Sequence, residues 1–202
     1  MTRSISLAPG FVVNARIVNA PIVNAPIVSA LVLSALIVNV GCASTSEKAN
    51  EAPYTSPPAA TSVTIAGKPI AIQYHAPQMH HRKIFGGLEP YQKVWRAGAN
   101  DATALHTGAT LRIKDLTVPP GDYTVFIWLD PAQWQLIINK QTGQWGLEYH
   151  QEQDLGRVPM DMSKPSAPID KFKITLSSAG ANSGKLQMEW ETTIASVPFT
   201  VN

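Results

Sequence analysis

The sequence predicts an all-β domain over residues 62–202, built as an antiparallel β-sandwich or a flattened barrel. It follows an N-terminal signal segment (residues 1–41) and a flexible tether (residues 42–61). From Val63 onward apolar residues recur with a period of two, as in strands, and turns rich in Gly and Pro separate the short apolar runs. This part of the chain contains no convincing amphipathic helix of useful length, so the predicted sheets must bury their apolar faces against each other.

The N-terminal segment has the organisation of a secretion signal. Arg3 and Arg16 precede residues 17–40, which carry no charge, and small residues follow at Gly41. The most apolar stretch, residues 30–38, is shorter than the ~20 apolar residues that an ordinary membrane-spanning helix needs. The pattern therefore predicts that the chain is exported.

Gly41-Cys42, at the end of the apolar stretch, resembles the lipobox of bacterial lipoproteins. The resemblance implies that Cys42 is acylated, with palmitate or a similar fatty acid, and becomes the first residue of the mature chain. Ala43 fits sorting to an outer membrane. The residues alone leave two alternatives open, an uncleaved N-terminal anchor and a small cysteine buried in a core helix.

Residues 42–61 are predicted to be a tether that holds the domain off the membrane. After Cys42 they are rich in Ala, Ser, Thr and Pro and offer little to bury, and Pro57-Pro58 favours an extended backbone.

The predicted strands, in chain order, are Val63–Ala66, Pro69–His75, Ala104–Thr107, Thr110–Lys114, Asp122–Asp130, 134–138, 171–176, 185–191 and Ile194–Val201. Residues 171–191 read as a hairpin with one wet face, because apolar and polar residues alternate on both sides of a turn-rich stretch. Asp122–Asp130 is apolar on both faces at its centre, which predicts a strand covered on both sides.

Three local features complete this description of the domain. Asp130-Pro131 begins a predicted turn, because Asp suits its first position and Pro its second. Pro198 predicts that the last strand lies at a sheet edge. Lys93–Ala102 is predicted to carry one short helical turn.

Charge and motifs exclude several function classes. Two of the 16 basic residues, Arg3 and Arg16, lie in the signal segment, so the remaining 14 balance the 14 acidic residues. A neutral domain has no electrostatic reason to bind nucleic acid. The sequence holds no phosphate-binding loop and only one cysteine, and we expect no cofactor.

Residues 82–103 form the most specific motif in the chain, RKIFGGLEPYQKVWRAGANDAT. Together with PGDYTVF at residues 120–126, WQLIINK at 134–140 and QWG at 144–146, it resembles the bacterial family called domain of unknown function 2911. The resemblance covers residues 63–176. It implies an exported protein, often a lipoprotein, and it implies no particular chemistry.

The candidate site is a patch formed by Tyr91, Trp95, Arg96, Asn100 and Asp101. Aromatic faces, a guanidinium fork, an amide and a carboxylate are the groups that line clefts for sugars or peptides. The alternative is structural. In that case Arg96 pairs with Asp101 or Glu89 to pin an irregular loop, and Trp95 fills the core.

A metal site for copper or zinc is a second possibility. His75, His80 and His81, near Met79, offer imidazole and thioether ligands, although the family pattern has other residues at the three histidine positions. Adjacent histidines on a strand point to opposite faces, which argues against one shared ion.

The function that we expect is binding or scaffolding at the bacterial cell envelope, without chemistry of the protein's own. The domain would be anchored to the outer membrane through the lipid on Cys42, and it would face the periplasm or the exterior. Its ligand would be a glycan, a peptide or a small molecule. One alternative is a hydrolase that acts on glycans through paired carboxylates such as Glu89 and Asp101. The other is a lipoprotein that binds copper or zinc.

Overall fold

The computed structural model describes residues 56–202, and alternating apolar residues give this part of the chain its thirteen strands. They are β1 (Pro58–Ile65), β2 (Lys68–His75), β3 (Lys93–Trp95), β4 (Thr103–Thr107), β5 (Leu111–Ile113), β6 (Leu116–Val118), β7 (Gly121–Leu129), β8 (Gln135–Asn139), β9 (Asp154–Pro159), β10 (Asp161–Ser163), β11 (Ile169–Gly180), β12 (Ser183–Glu191) and β13 (Thr193–Val201). A short 3₁₀ helix spans Gln151–Gln153. None of the described residues forms a helix long and apolar enough to cross a bilayer.

The strands form two antiparallel sheets that pack on each other, which confirms the predicted β-sandwich. The seven-stranded sheet has the order β1-β2-β4-β7-β8-β9, with β3 also paired to β7. The six-stranded sheet has the order β11-β12-β13-β5-β6, with β10 also paired to β13. Apolar residues of both sheets form one core between them.

The predicted hairpin is β11 and β12. Phe172, Ile174 and Leu176 are buried in the core, whereas the alternating residues Lys171 and Lys173 are exposed. This alternation confirms the single wet face that the period of two predicted.

Strand β7 is buried on both faces, as its apolar centre predicted. Val125 and Ile127 face the core, and Phe126 faces outward under the ring of Tyr149, with ring centroids 5.1 Å apart. The loop that carries Tyr149 therefore covers part of the outer face of the seven-stranded sheet. The predicted turn before β8 is also present, with Asp130 Oδ1 accepting hydrogen bonds from the amides of Ala132 and Gln133.

Two local predictions were wrong. Lys93–Ala102 contains no helical turn. It begins with β3, because Val94 and Trp95 pair with β7, and it continues as an irregular loop. Strand β13 is not an edge strand, since it pairs with β12 along one side and with β10 and β5 along the other. Pro198 lies between the β10 and β5 pairings, where its missing N–H breaks no bond to either strand.

Strand β1 begins at Pro58, so the last four residues of the predicted tether lie in the first strand. Strands β6, β9 and β10 were not predicted. Each has six residues or fewer and too short an alternation to stand out in the sequence.

Candidate functional site

Residues 76–102, here called the motif segment, join β2 to β4 and contain β3. They include all of the most specific motif except its last residue, Thr103, which begins β4. Backbone hydrogen bonds from Met79 N to Asp170 O and from Phe172 N to Pro77 O, each 2.9 Å, attach its beginning to β11. The carboxylate of Glu191 accepts hydrogen bonds from Ile84 N at 3.0 Å and Phe85 N at 3.2 Å. The motif segment, which belongs in sequence to one sheet, is thereby fastened to the other.

An aromatic cluster lies beneath the motif segment. Its members are Phe85, Trp95, Trp134, Phe172 and Trp190. Trp95 is only 2% exposed, stacks on Trp190 at 5.8 Å and 19°, and donates a hydrogen bond from its indole N–H to Gly98 O at 3.2 Å. Trp95 thus packs in the core, as the structural alternative for this residue had it, and presents no face to a ligand.

The loop after Trp95 has a strained backbone. Ala97 and Asn100 adopt left-handed φ angles of 52° and 58°, which cost a residue with a Cβ about 1–2 kcal/mol. Thr103 holds this loop from below by donating its hydroxyl hydrogen bond to Ala97 O at 2.8 Å. Strain of this kind persists where the surrounding structure fixes it, and it is common at functional sites.

The QWG motif fixes the loop from the other side. Gly146 N donates to Asn100 O at 3.1 Å, Ala102 N donates to Gln144 O at 3.3 Å, and Asp101 forms a β-bridge with Trp145. Two motifs more than forty residues apart in sequence therefore form one structural unit.

The side chain of Arg96 lies between its own loop and the QWG motif. A Cβ built on Gly146 would overlap Arg96 Cδ and Asn100 O, so a residue without a side chain is required where the arginine stem passes. Arg96 Nε is buried and has no hydrogen-bond partner within the described residues. Neither of the two ion pairs considered from the sequence, with Asp101 or with Glu89, occurs in this part of the chain.

Arg96 and Glu89 line the same cavity, of about 280 Å³, which we call the Arg96 cavity. Arg82, Asn100 and Trp190 also line it. Burial raises the pKa of Glu89, and the positive charge of Arg96 partly opposes that rise. The two charges are near enough to influence each other without forming an ion pair.

The other predicted patch residues lie in different surroundings. Tyr91 is exposed, and its ring lies so close to Gly86 that a Cβ there would be 2.6 Å from Tyr91 Cε2. Asp101 lines a second cavity, on the far side of the loop from Glu89, together with Gln144. Of the five predicted patch residues, Arg96 and Asn100 line the Arg96 cavity together. The two carboxylates considered as a pair, Glu89 and Asp101, line different cavities.

The three histidines are also separated. His75 lines the second cavity, His80 lines the Arg96 cavity, and His81 is exposed. Residues 56–202 contain no cluster of three or more His, Cys, Asp or Glu side chains with the geometry of a metal site. Cys42, the predicted acylation site, lies outside the described residues.

Sequence reasoning missed Gln144 and Gly146 as site residues. QWG was noticed only as part of the family resemblance, and its partner loop is remote in sequence. The sequence around Gly146 does not indicate that the side chain of Arg96 packs against this glycine.

The fold and the site define an all-β sandwich protein whose motif segment encloses a charged cavity. The chain belongs to the family described as protein of unknown function (DUF2911), whose model matches residues 56–199 and so spans β1 to β12 and most of β13. The comparison with curated proteins and the comparison with solved structures each found no match.

Proposed function

We propose that the protein is a lipid-anchored binding module of the bacterial cell envelope, and that the Arg96 cavity holds a small ligand bearing a carboxylate group. The observation that carries the proposal is the state of Arg96. Its Nε is buried without a partner among residues 56–202, and its side chain lines a cavity. A buried donor without a partner costs about 1–3 kcal/mol, so Arg96 is held in an arrangement that the described residues around its Nε do not stabilise by a hydrogen bond.

The charges of the cavity favour an anionic ligand. Arg82 and Arg96 line it, and Glu89 is the one carboxylate among the described residues that line it. Burial raises the pKa of Glu89, which favours its neutral form and so lessens its repulsion of an anionic ligand. A guanidinium group binds a planar carboxylate through two parallel hydrogen bonds. The amide of Asn100 supplies a neutral polar group beside it.

Binding is favoured over hydrolysis by the separation of the carboxylates. A glycoside hydrolase needs two carboxyl groups on either side of one bond. Glu89 lines the Arg96 cavity, whereas Asp101 lines the second cavity. The proposal therefore gives the protein no chemistry of its own.

The binding proposal is tested by titrating the full-length protein with acetate, glycylglycine and inorganic phosphate in a calorimeter. Arg96→Met is the informative variant, because it keeps a stem that packs on Gly146 and removes the guanidinium. We expect a carboxylate to bind the native protein and to bind Arg96→Met at least about tenfold more weakly.

The matched control is Arg112→Met, which removes the same charge from an exposed position on β5. It should leave binding unchanged. Binding of phosphate in preference to both carboxylates would contradict the proposed ligand chemistry. Equal losses in Arg96→Met and Arg112→Met would mean that overall charge, and not the cavity, attracts the anion.

The anchoring proposal needs its own experiment. It is supported by the uncharged residues 17–40 and by Gly41-Cys42. The native protein should have the mass of residues 42–202 plus acyl groups, and it should incorporate labelled palmitate. Cys42→Ser should abolish the incorporation. An unmodified thiol on a chain that still carries residues 1–41 would refute the anchor.

A further inference from the structure

A groove crosses the outer face of the seven-stranded sheet, away from the Arg96 cavity. It consists of two cavities of about 630 and 330 Å³, which share Gln73 and Ala104 as lining residues and therefore lie side by side. We call it the outer groove. Each volume lies within or near the range of about 300–1,000 Å³ that small-molecule sites occupy.

A row of mostly small side chains crosses the floor of the outer groove. Strand register places Ala60 beside Gln73, Gln73 beside Ala104, and Ala104 beside Thr124, in one row across β1, β2, β4 and β7. Ala60, Gln73 and Ala104 are exposed, whereas Thr124 is covered. The groove therefore ends at the loop that holds Gly143 and Gln144.

Gln144 forms part of this wall and has an unpartnered amide nitrogen. The residue is only 7% exposed, and its Oε1 accepts a hydrogen bond from Thr124 Oγ1 at 3.4 Å. Its Nε2 is buried without a partner in the described residues. Because Gln144 lines the larger cavity, a side-chain rotation would present two N–H donors to an acceptor that enters the groove.

The remaining polar groups are both donors and acceptors. Gln73, His75 and Asp101 line the larger cavity, and His106 and Asp122, joined at 2.7 Å between Nδ1 and Oδ1, line the smaller one. No Lys or Arg is among the described residues that line either cavity, so the groove has nothing to neutralise an anion. A ligand rich in hydroxyl groups, which donate and accept equally, matches this set.

We propose that the outer groove is a second binding site and that its ligand is a neutral saccharide. The length of the groove, which runs through both cavities, suits an oligosaccharide laid across the strands. The alanine floor accepts the flat face of a sugar ring, and the amides, imidazoles and carboxylates at its margins bond to ring hydroxyls. This site does not depend on the Arg96 cavity.

The test is calorimetric titration of the full-length protein with uncharged hexasaccharides of β-1,4-glucose, α-1,4-glucose and β-1,4-N-acetylglucosamine, and with tetraalanine as a peptide probe. At least one hexasaccharide should bind. Gln144→Leu should weaken that binding about tenfold or more, because the amide donors are lost. It should lower the thermal unfolding temperature only slightly, because the one side-chain hydrogen bond lost is the 3.4 Å bond from Thr124 Oγ1 to Gln144 Oε1, and the amide nitrogen has no partner among the described residues.

Ala104→Arg provides a second, independent variant, since Ala104 is exposed and a large side chain there fills the floor without entering the core. It should abolish saccharide binding. Gln141→Leu is the matched control, because Gln141 lies in the same loop and lines neither cavity. It should bind as the native protein does.

Three results would overturn the proposal. They are no binding of any hexasaccharide, binding unaffected by both Gln144→Leu and Ala104→Arg, and binding of tetraalanine in place of the saccharides. Arg96→Met should leave saccharide binding unchanged. A carboxylate that still binds while the saccharides do not would refute the outer groove and leave the Arg96 cavity standing.

Discussion

Arg96 and Arg157 are both half-buried arginines on the seven-stranded sheet and its connections. They differ in whether their N–H donors are paired within the described residues. Arg157 belongs to a network with Asn139, Tyr149 and Asp154, here called the Asp154 network. Its Nε donates to Asp154 Oδ2 at 3.0 Å, its Nη2 lies 3.0 Å from the same oxygen, and Nη2 also donates to the Tyr149 hydroxyl. Arg96 has a buried Nε with no partner in the part of the chain that the structure describes, and the carboxylate of Glu89 lies near it without forming an ion pair.

Under the proposed function, this difference separates a structural arginine from one that binds a ligand. In the Asp154 network, burial and the hydrogen bond to Asp154 raise the pKa of Tyr149 to about 12, which keeps this hydroxyl neutral and bonded. Each polar group there satisfies another. Around Arg96, Gly146 lies against the stem, and none of the described carboxylates forms an ion pair with the guanidinium.

The largest effect that we expect is on the paired arginine. Arg157→Met leaves the Asp154 carboxylate, which is only 10% exposed, without its cation. The free energy of unfolding should fall by about 2–3 kcal/mol, measured by urea denaturation. A loss below about 0.5 kcal/mol would remove the contrast between the two arginines.

Next in size is Gly146→Ala. The added methyl group would overlap Arg96 Cδ and Asn100 O, and the arginine stem and the loop must both move. We expect a loss of about 1–2 kcal/mol in the free energy of unfolding. In combination with Arg96→Ala, which shortens the stem, part of this loss should be recovered. Strictly additive losses in this double-mutant cycle would mean that the two residues are not in contact.

A small effect is expected when the guanidinium of Arg96 alone is removed. Arg96→Met keeps the packing of the stem and deletes a buried donor that has no partner among the described residues. The cost removed with that donor offsets the lost attraction to Glu89, so the free energy of unfolding should not fall by more than about 0.5 kcal/mol. The same urea measurement compares it directly with Arg157→Met. Equal losses in the two variants would show that Arg96 is as structural as Arg157.

The smallest expected effect is a change in the ionisation of Glu89. Burial raises the pKa of Glu89 above its ordinary value of 4.5, and Arg96 opposes this rise, so in Arg96→Met the pKa of Glu89 should rise further. The measurement is a carboxyl carbon titration by NMR, with Arg112→Met as the control that should leave the pKa of Glu89 unchanged.

The same pKa has a consequence for stability. Because the folded-state pKa of Glu89 is raised, the contribution of its neutral carboxyl is complete below pH 4.5 and is lost as the pH rises through the folded-state pKa. In Arg96→Met, the pH range over which the neutral carboxyl of Glu89 contributes to stability should extend to higher pH. Glu89→Gln, which cannot ionise, should remove the dependence. A fall in stability on acidification through the same window would contradict the sign.

The strands were predictable from the sequence because alternation is a local property. The hairpin of β11 and β12 needs only its own residues to show which face is wet. The path of residues 93–102 was not predictable. Val94 and Trp95 become a strand through pairing with β7, and the loop after them takes its shape from Gln144 and Gly146. Nothing within residues 93–102 records those partners.

The candidate site was predictable in its composition and not in its arrangement. Arg96 and Asn100 were identified by residue type, and they do share a cavity. Trp95 was identified in the same way and is buried, because an indole in a motif fits a core as well as it fits a ligand. Which carboxylate faces Arg96 depended on the fold, and the nearby Asp101 turned to the other side of the loop.

The stacked indoles of Trp95 and Trp190 give the molecule an optical reporter of its own. Their centroids are 5.8 Å apart, close enough for their excited states to couple and to leave an exciton band in circular dichroism. Trp95 belongs to the motif segment and Trp190 to β12, so the band reports whether the motif segment is packed against β12. Lifting of the motif segment from an intact sandwich would erase that band while the absorption of the sheet backbone stayed the same.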